Sequence, residues 1–179
     1  MARQIALLRG INLGPSRRVS MPALRELLTG LGYGDVRTLL QSGNVVLTSD
    51  DPPERLGREL RAHIAEGLGI DSEVVVRTRD ELADVVARDP FGELIDDPRR
   101  YQVTFLSAPP DGDAVRRLEA LDVAPERFLV SGREIYAWHP NGIQRSQLAR
   151  LLSDRELGAV ATARNWNTVL GLLELADEG

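Results

Sequence analysis

The chain has 179 residues, of which 42% are hydrophobic and 27% charged, and its formal net charge is −5. A chain of this size and composition can bury a core without the help of disulfides or metals. It contains no cysteine, which excludes disulfides, thiol nucleophiles and thiolate metal sites. All 22 basic residues are arginine, and the acidic balance disfavours a nucleic-acid partner without excluding a small local site.

The N-terminal residues predict neither a signal peptide nor a membrane anchor. The apolar run from Ile5 to Leu8 is short and ends at Arg9. No stretch approaches the roughly 20 apolar residues that a membrane-spanning helix needs. We therefore expect a cytoplasmic protein that has no membrane partner.

The first half of the chain has the element order βαββαβ. Leu24, Leu28 and Leu31 recur at helical spacing behind Ser20 as N-cap, and the polar residues 41–44 separate two apolar runs as a hairpin turn does. The predicted elements are a strand over residues 4–10, a helix after Ser20, hairpin strands over 36–41 and 44–49, a helix that begins within 50–53 and ends at 68, and a strand over 73–78. This is the order of a ferredoxin-like split βαβ unit, and a short helix over 80–87 follows it.

The second half repeats that order after a linker. Residues 89–100 contain two prolines and mixed charges, which are typical of a connecting segment. The elements predicted beyond it are a strand over 101–107, a helix capped by Asp111 or Asp113, hairpin strands over 127–130 and 134–138, one helix after Ser146, a strand over 159–163, and a last helix capped by Asn165 or Asn167. Thr78-Arg79-Asp80 and Ala163-Arg164-Asn165 are interpreted as equivalent segments between a fourth strand and a helix.

The fold class that follows is α+β, with two ferredoxin-like βαββαβ halves whose antiparallel sheets are covered by helices on one face. We interpret the chain as an internal duplication. Its first half spans residues 1–88, its linker 89–100, and its second half, with the C-terminal helix, 101–179. The alternative is one continuous α+β domain without true repetition.

The predicted sheets leave an apolar face that carries no helices. In the first half we expect Leu8, Leu39, Val46 and Val75 on that face. An apolar sheet face must be covered, so either the two halves cover each other or a second copy of the chain does so in a homodimer. The first arrangement is favoured in a duplicated chain.

Polar residues collect at the ends of elements in three clusters, over residues 9–12, 41–44 and 164–168. Guanidinium groups and turn N–H groups suit an anion, and a helix N-terminus beside Arg164 suits a phosphate or a carboxylate. The candidate ligand-binding residues are Arg9, Asn12, Gln41, Asn44, Arg164, Asn165, Trp166 and Asn167. The structural alternatives are a turn after the first strand, a hairpin bend, and an N-cap beside a packed tryptophan.

Four segments, LLRGIN, LLQSGNVV, HPNGI followed by Ser146, and ATARNWNTVL, closely resemble motifs of the DUF1697 family of bacterial proteins, from about Ile5 to Leu173. That family has no known function, so the resemblance implies no catalytic or binding residue here. Members often have a Gly-rich, Lys-bearing segment after the first strand, where this chain has GPSRR. If a lysine acts there in relatives, Arg17 or Arg18 must replace it, and arginine cannot serve as a general base.

The sequence matches no catalytic template, since it has no Walker A loop, no GxGxxG and no GxSxG elbow. His63 and His139 each lack a partner at metal-ligand spacing, so we predict no metal and no cofactor. Adjacent carboxylates at 50–51 and 96–97 lie beside prolines in loops and are interpreted as solvated turns. The sequence therefore favours a protein without catalysis over an enzyme, and catalysis by positioning and hydrogen bonding alone stays open as an alternative.

These observations favour a binding module for a small anionic or polar ligand of the nucleotide or sugar-phosphate class. The RGIN, QSGN and RNWNT segments would form its site. One alternative is single-stranded nucleic-acid binding through strand aromatics, of which there are four: Phe105, Phe128, Tyr136 and Trp138. Another is a protein-interaction or homodimer scaffold without catalysis.

Overall fold

Two four-stranded antiparallel sheets and seven α-helices make up this α+β protein, which a computed structural model describes over residues 1–179. The chain divides into two units. The first unit comprises Met1–Asp84 together with Gly171–Gly179, and the second comprises Val85–Leu170. None of the seven helices is long and apolar enough to cross a membrane.

The first unit contains the elements that the sequence predicts for the first half, with ends shifted by one or two residues. In chain order they are β1 (Ala2–Leu8), α1 (Met21–Gly30), β2 (Gly34–Leu39), β3 (Asn44–Ser49), α2 (Pro53–Leu68) and β4 (Val74–Thr78). The sheet order is β2-β3-β1-β4, and β1 pairs with β3 and β4. Helix α3 (Arg79–Arg88) follows β4.

Local signals explain where α1 and α2 begin and end. The Ser20 hydroxyl accepts a hydrogen bond from the Ala23 N–H, as the N-cap prediction requires. Helix α2 ends at Gly69, whose φ of +69° is the left-handed conformation that glycine adopts readily. The buried side of the two helices packs on the first sheet through a core of leucine, isoleucine and valine side chains, among them Leu24, Leu28, Leu56, Leu60 and Ile64.

The β2–β3 turn differs from the prediction. Residues 40–43 form the turn, while Asn44 is the first residue of β3 and is fully buried. The positive φ angles fall on Leu40 (+58°) and Gly43 (+84°) and not on Asn44. The Asn44 amide instead donates to the Leu39 carbonyl oxygen (2.8 Å) and the Ser42 hydroxyl (2.8 Å), so it holds the turn together from within the strand.

Both faces of the first sheet carry buried apolar side chains. Leu8 belongs to the helix-side core, so its predicted place on the other face is wrong. That other face carries Ile5, Leu7, Val46 and Val75, as alternation along the strands requires. Each of these four side chains is at most 2% exposed.

The second unit repeats the strand arrangement of the first. Its elements in chain order are β5 (Tyr101–Leu106), α4 (Gly112–Glu119), β6 (Arg127–Ser131), β7 (Glu134–Trp138), α5 (Gln147–Leu151), α6 (Asp154–Leu157) and β8 (Ala161–Asn165). The sheet order is β6-β7-β5-β8, with every pairing antiparallel. Helix α7 (Trp166–Asp177) follows β8 and contributes residues from Gly171 onwards to the first unit.

One prediction for this half is corrected. The single helix expected after Ser146 is two short helices, because Leu152 leaves the helical conformation (ψ +53°) and Ser153 is extended. The segment predicted as a linker, 89–100, contains short 3₁₀ helices at Gly92–Leu94 and Pro98–Arg100.

The fourth strands of the two sheets end in the same way. Arg77 in β4 and Arg164 in β8 each donate from the guanidinium to the carbonyl oxygen of the preceding residue, at 2.9 Å. The next residue then caps the following helix: Thr78 accepts from the Glu81 N–H, and Asn165 from the Thr168 N–H. The counterpart of Arg164 is therefore Arg77, and the predicted equivalence with Arg79 is off by two residues.

Candidate functional site

The loop between β1 and α1 surrounds a surface cavity of about 650 Å³ in the first unit. We call it the loop cavity. Its lining comes from the loop, from the start of α1 and from the β2–β3 turn: Asn12, Leu13, Gly14, Pro15, Arg18, Val19, Ser20 and Gln41. Two of the sequence-predicted site residues, Asn12 and Gln41, thus lie in one cavity.

The Asn12 carboxamide holds this loop closed. Its Nδ2 donates to the Val19 carbonyl oxygen (3.0 Å) and to the Gln41 carbonyl oxygen (2.6 Å), while its Oδ1 accepts from the Val19 N–H (2.8 Å). The Asn12 N–H donates to the Arg17 carbonyl oxygen at 3.0 Å. Asn12 therefore positions the cavity walls, and its side chain has little capacity left for a ligand.

The loop contains two non-glycine residues in the left-handed region, Asn12 (φ +56°) and Arg17 (φ +61°). Asparagine tolerates this conformation, whereas a longer side chain such as that of Arg17 adopts it at a cost of about 1–2 kcal/mol. The Arg17 guanidinium donates to the Asp71 carbonyl oxygen at 2.7 Å, which ties the loop to the segment before β4. Strained backbone of this kind is concentrated at binding and catalytic loops.

The electrostatics of the loop cavity favour an anion. None of its lining residues is acidic, and Arg18 forms no ion pair. The only hydrogen bond of the Arg18 guanidinium is a long one, 3.5 Å, to the Gly14 carbonyl oxygen. The N-terminus of α1 begins at the cavity wall after Ser20, and its first turn contains no acidic residue to offset the helix dipole.

The other predicted residues of the first unit do not line the loop cavity. The Arg9 N–H donates to the Glu73 carbonyl oxygen (2.9 Å) and to the Ser72 hydroxyl (3.1 Å), which joins the end of β1 to β4. Asn44 is buried within the β2–β3 hairpin. Arg9 therefore lies just beyond the end of β1, and Asn44 lies at the start of β3 beside the turn.

The RNWNT segment lies in the second unit, where its four candidate residues have separate positions. The Arg164 guanidinium donates to the Thr162 hydroxyl (2.7 Å), and burial lowers the pKa of Arg164 to about 10. Asn165 caps α7, and Trp166 stacks on Tyr101 with ring centroids 4.7 Å apart. Asn167 is exposed on the first turn of α7.

A buried polar cluster at His139 is the feature that the sequence analysis did not single out. The Nδ1 of His139 lies 2.5 Å from Glu126 Oε2, and the Ser146 hydroxyl donates to the same carboxylate oxygen at 2.5 Å. A Ser-His-acid relay needs the serine and the acid on opposite ring nitrogens, but here both are at Nδ1 and Nε2 has no partner. The sequence signal available for this cluster was the HPNGI motif followed by Ser146.

No three histidine, aspartate or glutamate side chains come close enough together to hold a metal ion. The groups that the structure brings together at the loop cavity are arginine, amide and hydroxyl groups. Such groups bind by hydrogen bonds and charge, without coordination chemistry.

The fold and this cavity define a two-sheet α+β protein with an arginine-bearing loop between the first strand and the first helix. The chain belongs to the DUF1697 family, whose description is "protein of unknown function", because the family model matches residues 1–136. The family predicted from the motifs is thus confirmed. The matched range contains the RGIN and QSGN segments, while HPNGI and RNWNT lie beyond it.

The structure is similar to that of the conserved bacterial protein SP0830 from Streptococcus pneumoniae, with a TM-score of 0.79. The two proteins are 22% identical, and the alignment covers 98% of this chain and 99% of that one. At this identity the likeness shows a shared fold. No curated protein matches the chain.

Proposed function

We propose that the loop cavity binds a small anionic ligand of the nucleotide or sugar-phosphate class. The observation that carries this proposal is the meeting of Asn12 and Gln41, from two predicted polar clusters, in a cavity whose one cation, Arg18, has no ion pair. A site without competing carboxylates leaves the guanidinium available to an anion.

The chemistry of the cavity wall divides into two kinds of contact. Arg18 would form two parallel hydrogen bonds with phosphate oxygens, and the N-terminus of α1 would add its positive dipole end. Gln41, which is exposed at the rim, offers an amide that both donates and accepts and so suits a sugar hydroxyl or a base. Asn12 and Arg17 hold the loop in the shape that these contacts need.

The wider site, with Arg9, Asn44, Arg164, Asn165, Trp166 and Asn167 as ligand contacts, remains a prediction. Its basis is the donor-rich chemistry of the RGIN, QSGN and RNWNT segments. Cytoplasmic location and the absence of a cofactor are likewise predictions.

Nucleic-acid binding through the sheets is disfavoured by the position of the aromatic side chains. Phe105, Tyr136 and Trp138 are buried, at 0%, 0% and 6% exposure, and Phe128 packs against the core of the second unit. Stacking with bases requires exposed aromatic faces.

A protein-interaction role is the second candidate, and two exposed leucines favour it. Leu13 in the loop is 84% exposed, and Leu40 in the β2–β3 turn is 62% exposed. Leu13 lines the loop cavity and Leu40 adjoins Gln41, so a partner protein would contact the same edge. A homodimer through this edge would appear as a doubled mass in solution.

We further propose that the two halves of the chain, near residues 1–88 and 101–179, are ferredoxin-like copies that arose by duplication and are joined by a linker over 89–100. The shared strand order and the matching ends of β4 and β8 support this. In both sheets, the strand that comes first in the chain lies between the third and the fourth strands and pairs antiparallel with each of them.

The binding proposal is tested by a thermal-shift panel of nucleotides, sugar phosphates and organic acids at low salt. A ligand present at about 100 times its dissociation constant raises the free energy of unfolding by about 2.7 kcal/mol. We expect a shift that Arg18→Gln abolishes and Arg58→Gln preserves, because Arg58 is an exposed arginine on α2 away from the cavity. A shift that survives Arg18→Gln, or a silent panel, contradicts the proposal.

A further inference from the structure

A second cavity, of about 350 Å³, lies between α4 and the α5–α6 segment of the second unit. We call it the helix cavity. Its walls are mainly apolar side chains, among them Ala114, Leu118, Leu121 and Leu151. The volume is at the lower end of the roughly 300–1,000 Å³ that small-molecule sites occupy.

The break between α5 and α6 adjoins this cavity. Helix α5 ends at Leu151 and α6 starts at Asp154, and each of the two helices contributes a lining residue, Leu151 and Glu156. Leu118 is 4% exposed at the base of the cavity, whereas Leu121 remains 41% exposed at its edge. The chain thus keeps a concave apolar surface that its own helices do not fill.

Two opposite charges line the same cavity without pairing. Arg117 on α4 and Glu156 on α6 are both lining residues, and neither forms an ion pair. The neighbouring Arg116, by contrast, pairs with Asp113 within α4. A cationic group and an anionic group thus line one apolar cavity without contacting each other. This arrangement is complementary in charge to a ligand that carries both a negative and a positive group.

We propose that the helix cavity binds a free α-amino acid with a branched aliphatic or aromatic side chain. The ligand carboxylate pairs with Arg117 and its ammonium group with Glu156, while its side chain packs on Leu118, Leu121 and Leu151. This site is independent of the loop cavity, since all of its residues belong to the second unit.

The test uses the full chain and follows backbone amide signals by NMR during titration with L-leucine. Three analogues each lack one feature: 4-methylpentanoate lacks the ammonium group, 3-methylbutylamine lacks the carboxylate, and glycine lacks the side chain. We expect L-leucine to bind at least about tenfold more tightly than each analogue, because each loses one charged or apolar contact. The shifted amides should be those of residues around Leu121 and Leu151.

Variants show whether leucine binds in the helix cavity or elsewhere on the chain. Arg117→Gln should weaken leucine binding about tenfold and leave 3-methylbutylamine unaffected. Ala120→Leu places a larger side chain in the cavity lining and should abolish binding. Arg116→Gln on the same helix and Arg18→Gln in the first unit are the matched controls and should change nothing.

Three results would overturn the proposal. The first is leucine binding no tighter than that of the one-charge analogues, and the second is binding unchanged in Ala120→Leu. The third is a silent titration with self-association that Ala120→Leu abolishes, which would make the groove an interface between copies. None of these results bears on the loop cavity, whose test depends on Arg18.

Discussion

The two units share a strand order but differ in the helices that cover it. In the first unit α2 is one helix of 16 residues, and thirteen buried hydrophobic residues form the helix-side core. In the second unit the corresponding position holds α5 and α6, of 5 and 4 residues, and five buried residues form that core. The strand order therefore does not depend on a complete layer of helices. The cavities also differ in place, since the first unit has the loop cavity and the second has the helix cavity.

The largest expected effect distinguishes the two cores. Leu60→Ala removes a 1% exposed side chain from the larger core and should lower the free energy of unfolding by about 3–5 kcal/mol. Leu118→Ala should lower it by about 2–3 kcal/mol, because Leu118 already borders a cavity and has fewer neighbours to lose. Urea denaturation followed by circular dichroism measures both, and equal losses would show that the cores are packed alike.

The second test compares the two hairpin turns with one substitution. A Cβ atom on Gly43 would lie 2.8 Å from Leu8 Cβ and 2.8 Å from Ile11 Cδ1, and the φ of Gly43 is +84°. Gly43→Ala should therefore cost about 2–4 kcal/mol through strain and overpacking. Gly132 has a φ of +60° but open space around it, so Gly132→Ala should cost about 1 kcal/mol.

Thermal unfolding of the two variants gives the difference directly. If Gly132→Ala were as destabilising as Gly43→Ala, conformation alone would explain both turns. The contact of the first turn with Leu8 and Ile11 would then have no measurable energetic role.

The third test compares two serine N-caps. The Ser20 hydroxyl accepts only from the Ala23 N–H, at 3.3 Å, so Ser20→Ala should cost about 0.5–1 kcal/mol. The Ser146 hydroxyl accepts from the Ala149 N–H at 2.9 Å and also donates to Glu126, so Ser146→Ala should cost about 2 kcal/mol. Chemical denaturation measures both, and Ser146→Thr, which keeps the hydroxyl, is the control. Equal costs would mean that the bond to Glu126 contributes nothing.

The smallest expected effect concerns the ion pair between Arg79 and Asp177. This pair joins the two chain segments of the first unit, Met1–Asp84 and Gly171–Gly179, whereas the second unit is one continuous segment. Hydrogen bonding to Arg79 lowers the pKa of Asp177 below its ordinary value, and the Nε–Oδ1 distance is 2.7 Å. Because the pKa is lowered in the folded state, the pair stabilises the fold above the ordinary pKa of aspartate, about 4, and this contribution is lost as pH falls through the lowered pKa. Both side chains are exposed, so the effect on global stability should be slight.

An NMR titration of the Asp177 carboxyl group checks this prediction. Arg79→Gln should return the pKa of Asp177 to its ordinary value, and Arg58→Gln should leave it lowered. A pKa that does not move in Arg79→Gln would show that another group holds this carboxylate.

Sequence patterns predicted those parts of the molecule that depend on near neighbours. Ser20 and Ser146 cap helices as expected, because an N-cap needs only a donor three residues away. The hairpins were predictable because a short turn and the two strands that it joins are also neighbours in the sequence. The break at Leu152 was missed although the spacing signals it, since Leu157 lies nine residues after Leu148 and on a continuous helix would face away from the stripe of Leu148, Leu151 and Leu152.

The candidate site was predictable in part. The clusters at Asn12 and Gln41 do meet, but the role of Asn12 depends on contacts with Val19 and with a carbonyl group 29 positions away, which no local pattern contains. From the sequence, Arg18 is only a residue that would replace a lysine of relatives, and the absence of an ion-pair partner for it is visible only in three dimensions.

The closed loop between Asn12 and Val19 has a consequence for how this protein can vary. Since Asn12 fastens both ends of the loop, residues added or removed between Leu13 and Ser16 would alter the cavity without displacing β1 or α1. Relatives could therefore change the size of the loop cavity through loop length alone, on an unchanged scaffold. For the protein engineer, the same segment is a place to graft new recognition loops.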